Sequence, residues 1–243
     1  MRRIARLGVV AVFAIGGWTA GAAAVAAPAA ACNIPTTGGS CAPSTITVSS
    51  SSTVVDSRSA TLNNTQGSEV GEVMYTETVY RNPSNGLCAN CLTWVLQVLN
   101  LTASTEFVAS ATISDFGGWQ TDIGTTASAP GYTTNPADVA PIQVSRSSAG
   151  NGKVVRWCFG ADCGGVGLAP GQTTQLLAVD TNSTAVIPGT VTVQNGVTNT
   201  GPGLSPAVPE AIWVPALGLF GGAIAGGYAV RNKRKGRSRT VTP

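Results

Sequence analysis

The chain of 243 residues contains no histidine. That absence excludes Ser-His-Asp and Cys-His nucleophilic sites, imidazole acid–base chemistry and His-ligated zinc. Charge is also scarce: Asp, Glu, Lys and Arg make up 10% of the chain, and aromatic residues 6%. The few charges are unevenly placed. Residues 32–210 hold five basic and eleven acidic side chains, a net of −6, and the other nine cations sit at the two ends. A nucleic-acid binder carries its basic patch on the folded domain. An acidic body excludes that footprint, so no nucleic-acid partner is expected. No Asp-x-Asp-x-Asp-Gly loop is present, and no cofactor or metal is expected.

The two ends read as addresses. Arg2, Arg3 and Arg6 precede an uncharged run from Leu7 that ends in small residues, Ala22 to Ala31. Residues 1–31 therefore read as a secretory signal peptide, and cleavage after Ala27 or after Ala31 both fit. Lipidation at Cys32 is a weaker reading, because it would leave five cysteines unpaired in number. At the other end, Ala211 to Val230 is twenty residues without a charge. As a helix it is long enough for about 30 Å of hydrocarbon. Arg231, Lys233, Arg234, Lys235, Arg237 and Arg239 follow as a stop-transfer cluster. By the positive-inside rule, residues 231–243 form a cytoplasmic tail and the body faces outward from the plasma membrane. Gly218, Gly222 and Gly226 recur every four residues on one face of that span, a helix-association pattern.

The C-terminal layout has a family likeness. Val208, Pro209 and Glu210 follow a Gly/Pro/Ser stretch, Thr200 to Pro206, and precede the apolar span and basic tail. This resembles the PEP-CTERM sorting signal of bacterial exported surface proteins, with Ala211 where that family usually carries its second proline. The resemblance implies export machinery and an exosortase-type enzyme as partners, and a cell-envelope location. Glycine richness is common in such spans, which is the competing reading of Gly218, Gly222 and Gly226. The middle of the chain is also similar to domains found ahead of such tails. Tyr80-Arg81-Asn82-Pro83, Cys88-Ala89-Asn90-Cys91 and Ile113 to Trp119 carry that likeness. It implies no activity.

The body, residues 32–199, reads as one all-β domain, with 200–210 as a linker. Thr and Ser supply 26 and 19 of residues 32–210, a composition that favours strands and turns over helices. Period-two runs occur at 45–49, 73–80, 93–102, 107–113, 137–145, 155–159, 175–179 and 191–193. Val73, Tyr75 and Val79 share a face. Thr93–Thr102 is apolar on both faces, as in a central strand covered twice. Pro/Asn/Gly turns separate the runs. The expected fold is an antiparallel β-sandwich of Ig-like or jelly-roll type.

Six cysteines fall into three local couples that bracket turns: Cys32 with Cys41, Cys88 with Cys91, and Cys158 with Cys163. In an exported chain these read as disulfides. A redox Cys-x-x-C at 88–91 would need a helix N-terminus. A zinc site would combine Cys88 and Cys91 with a second pair, which Cys158 and Cys163 could supply. Asp115, Asp122, Asp138, Asp162 and Asp180 read as single loop acids. Trp94, Trp119 and Trp157 read as core, with a sugar-stacking platform as the alternative. The function expected is a surface-displayed structural or adhesive module, without catalysis, that meets extracellular polysaccharide or associates with itself. The alternative is a carboxylate-dependent glycan-acting enzyme or a carbohydrate-binding module.

Overall fold

The structure is a computed structural model and describes residues 32–207. The signal segment, the motif Val208, Pro209 and Glu210, the span with Gly218, Gly222 and Gly226, and the basic tail lie outside the described residues. Among the described residues no helix is long and apolar enough to cross a membrane. Those present are two three-residue 3-10 turns, Ala149–Asn151 and Ala161–Cys163.

Twelve strands make up two six-stranded sheets. They are β1 (Gly39–Cys41), β2 (Ser44–Thr45), β3 (Thr53–Gln66), β4 (Glu69–Asn82), β5 (Cys91–Asn100), β6 (Ser110–Ile113), β7 (Thr121–Thr126), β8 (Gln143–Arg146), β9 (Val155–Cys158), β10 (Leu176–Thr181), β11 (Val186–Asn195) and β12 (Val197–Pro206). The first sheet runs β2-β7-β10-β5-β4-β3 and the second β1-β8-β9-β6-β11-β12. All pairings are antiparallel except β2 with β7, which is parallel. That exception corrects the all-antiparallel expectation. The two strands approach closely at Gly124, where an added Cβ would lie 2.0 Å from the Ser44 carbonyl oxygen.

Alternation along the strands puts one apolar face of each sheet on a shared core. Val73, Tyr75, Trp94, Leu96 and Val179 come from the first sheet, and Ala111, Val144, Trp157, Val193 and Leu204 from the second. The two buried tryptophans tie the layers together by bonding across them. Trp94 on β5 donates its indole N–H to the Leu204 carbonyl (3.1 Å), and Trp157 on β9 donates to the Gly124 carbonyl (2.9 Å). Trp94 also meets Phe116 edge-on at 5.4 Å between ring centroids, a favoured aromatic geometry. Both tryptophans are thus core, and neither can be part of a sugar platform.

The strand β5 is covered on its second face as well. Val95, Tyr80, Leu176, Val48 and Ala129 form a smaller cluster with Tyr132 packed on it. Tyr132 hydroxyl lies within 3.2 Å of the Thr76 carbonyl and 3.1 Å of both Thr78 Oγ1 and the Val95 carbonyl.

Residues 200–206 correct the linker boundary. They are the second half of β12, paired with β11 through Pro206 opposite Val186. Glycine and proline have positional reasons here. A Cβ on Gly201 would lie 2.7 Å from Leu62 and 2.8 Å from the Tyr75 hydroxyl. Pro202 and Pro206 are tolerated because β12 is an edge strand. Several outward backbone groups of β12 are taken up by side chains of the other sheet. Asn64 donates to the Thr198 carbonyl, Tyr75 to that of Pro202 and Trp94 to that of Leu204. Glu77 accepts the Leu204 N–H.

Candidate functional site

All six cysteines of the described residues are paired as the spacing predicts: Cys32–Cys41, Cys88–Cys91 and Cys158–Cys163. The first closes the loop that leads into β1. The second lies in the β4–β5 connection, where Asn90 takes a left-handed φ of 64° and Cys91 opens a strand. A Cys-x-x-C that leads into a strand lacks the helix dipole that lowers a redox thiol's pKa. Around the third disulfide, Cys158, Asp162 and Cys163 bring potential ligand atoms within 4.8 Å of one another. The two sulfurs are bonded to each other, and Arg156 pairs with the Asp162 carboxylate. In this state the group is a stapled turn.

The five aspartates have different surroundings. Asp115 pairs with Lys153 at 2.8 Å and accepts from Ser114. The Lys153 hydrogen bond holds its carboxyl below the ordinary range. Asp138 accepts the Asn135 N–H at 2.8 Å, and Asp162 is engaged with Arg156. Asp180 departs from the loop expectation: it lies inside β10 and is 2% exposed. Burial pushes its carboxyl up to about 6, against hydrogen bonds from Thr93 and the Gly86 N–H. The register sets Asp122 of β7 directly opposite it. Asp122 accepts from the Ser44 hydroxyl at 2.8 Å. Asp122 and Asp180 are therefore a carboxylate pair that strand register brings together and that spacing along the chain does not reveal.

Sequence reasoning missed two buried charged groups. Glu77 follows Val73 and Tyr75 on the core-facing side of β4 and is 0% exposed. Its Oε2 accepts the Leu204 N–H at 2.8 Å, while Oε1 has no partner. Burial pushes the carboxyl up to about 8, so it is largely protonated at neutral pH. The signal was present, since alternation through Val73, Tyr75 and Val79 passes through position 77. The second group is Arg146 on β8, 3% exposed. Its guanidinium donates to the carbonyls of Gly152, Ile34 and Phe116 and to the Thr121 hydroxyl. It gathers the N-terminal segment and two loops onto the core.

Among the described residues, three surface clefts carry hydroxyls and amides in their lining. One of about 390 Å³ lies beside Tyr80, Tyr132 and Gln97. A second, of about 500 Å³, is bordered by Thr45, Thr125, Thr126, Thr134 and Gln175, with Asp138 as its one carboxylate. A third, of about 430 Å³, runs between Thr61–Asn64 and Thr198–Thr200. Trp119 is half-buried and borders none of the three. Each cleft has at most one acid, and the Asp122–Asp180 pair lines none of them. Such surfaces offer hydrogen bonds to a polyol or a peptide backbone rather than a positioned acid and base. Compared with family models, with curated proteins and with solved structures, the chain matches none.

Proposed function

We propose that this is an exported bacterial surface protein of PEP-CTERM type whose disulfide-stapled module acts structurally or adhesively outside the membrane. In this reading the two sheets are an Ig-like or jelly-roll sandwich. The C-terminal span anchors the chain with its basic tail inside, and an exosortase-type enzyme handles the Val208-Pro209-Glu210 signal. The observation that carries the reading is the set of three local disulfides with no free thiol among the described residues. Disulfides persist in oxidising compartments and are rare in the cytosol. Hydroxyl-lined clefts with at most one acid support binding over turnover.

Fractionation with external protease tests the location. The body should be digested on intact cells while an epitope placed after Pro243 is protected, and removing 211–243 should release folded body to the medium. A body protected on intact cells would sink the reading. Panels of glycans, peptides and esters test the chemistry, with polysaccharide binding but no turnover expected. The Asp122–Asp180 pair favours one second reading, a carboxylate-dependent glycan enzyme. Turnover abolished by Asp180→Asn in a normally folded protein would establish it.

A further inference from the structure

Two packed sheets have four outer edges, and the described residues treat them differently. β1 has three residues and β2 two, so each offers little to pair with. β12 carries Pro202 and Pro206, and its outward carbonyls at Thr198, Pro202 and Leu204 already accept from Asn64, Tyr75 and Trp94. Shortness, proline and side-chain cover are devices that keep an edge from pairing. β3 is fourteen residues long and mostly exposed on both faces. A β-bulge between Val54 and Asp56 interrupts its start. Asp56 to Gln66 then pairs with β4 without a break, and this stretch has no proline and no charge after Arg58.

We infer that Asp56–Gln66 of β3 is a self-association edge that pairs antiparallel with the same strand of a second copy. Symmetry narrows the register. A two-fold axis perpendicular to the sheet keeps the inner faces of both copies on one side. Residues facing each other across it must then share a face, which requires an axis through a residue. The midpoint of Asp56–Gln66 is Thr61. With Thr61 facing Thr61 of the second copy, Ala60 faces Leu62, Ser59 faces Asn63, Arg58 faces Asn64 and Asp56 faces Gln66. Ala60 and Leu62 already pack on the core, so their meeting extends that core across the axis. No like charges face each other, and cross-strand pairs of these kinds stabilise a sheet. The cleft between Thr61–Asn64 and Thr198–Thr200 opens beside this edge. An interface of one strand pair is small, hence weak in solution. Anchoring many copies on one surface raises their effective concentration. The inference deepens the adhesive reading and rests on it for its setting.

The test uses full-length chain purified after export, in mild detergent, with two affinity tags. Thr61 is exposed, so Thr61→Lys and Thr61→Glu should leave thermal unfolding within a few degrees of wild type. Wild type should sediment as a concentration-dependent dimer. Each charged variant alone should lose affinity by about tenfold or more, because like charges meet at the axis. Mixed one to one, the Lys and Glu variants should regain it as a heterodimer. A wild type that stays monomeric at all concentrations would overturn the inference, as would variants that dimerise normally or a mixture that fails to recover. Location is read by fractionation, so a chain that dimerises but is not displayed would fail the display reading alone.

Discussion

Glu77 is a carboxylic acid in the core whose worth changes with pH. Its folded pKa, about 8, is above the ordinary 4.5, and that of Asp180, about 6, is above 3.8. A group raised in this way stabilises the fold fully below its unfolded value. As pH rises through the window, the unfolded chain loses protons that the folded chain retains, and stability falls. These two groups therefore make the protein less stable from about pH 4 to about pH 8, with Asp180 contributing up to about 6 and Glu77 throughout. Glu77→Gln keeps an acceptor for the Leu204 N–H and has nothing to ionise. Urea unfolding should find it more stable than wild type at pH 8, by an amount on the order of a few kcal/mol. The wild-type slope between pH 6 and 8 should vanish in the variant. A variant that follows the wild-type slope would show that Glu77 is not the titrating group. Both buried acids were legible only in part. Position 77 follows from alternation, but the Asp122–Asp180 pairing needs the register of β7 on β10, and local sequence does not encode which strands become neighbours.

At the scale of the element, the central strand was readable and the edges were not. β5 is apolar on both sides because both of its faces are covered, and that pattern is printed in Trp94, Val95, Leu96 and Val98. β3 faces water on both sides for most of its length, so no alternation marks it. β12 reads as a linker because its glycines and prolines answer to a neighbouring sheet rather than to strand propensity. Gly201 gives a direct check. Gly201→Val should cost about 1–3 kcal/mol by forcing Leu62 and Tyr75 aside. In a true linker the same change would be neutral, so an unchanged melting temperature would count against the strand. The disulfides were legible because closing a short loop is a local event. Peptide mapping of the non-reduced protein should recover Cys32–Cys41, Cys88–Cys91 and Cys158–Cys163. A bridge between two couples would contradict the structure. Replacing Cys32 and Cys41 together with Ala should lower stability by about 2–3 kcal/mol, and Cys32 is the one buried at 3% exposure in that pair.

At the scale of the whole molecule, the proposed address signals and the folded body occupy separate stretches of the chain. The proposed signals lie at 1–31 and 208–243, outside the described residues, and the body supplies the disulfides and the polar clefts. If the proposed span anchors the chain, replacing Lys233, Arg234 and Lys235 with Gln should weaken membrane retention, because positive charges beside a span halt and orient it. Equal retention of the variant and wild type on carbonate-washed membranes would remove them from that role. The way β12 is held has a mechanical consequence. A module tethered through the residues after Ala207 would receive any pull at the end of β12. Peeling that strand from β11 would need one backbone contact broken at a time, the weakest loading geometry for a sheet. The crossing bonds from Glu77 and Trp94 grip Leu204 two residues from the strand's end. A load that peels the end of β12 would therefore also have to break bonds to the other sheet. Under a force clamp, Trp94→Phe should unfold at lower load than wild type even after correction for its lost stability, since the missing latch acts on the unfolding barrier.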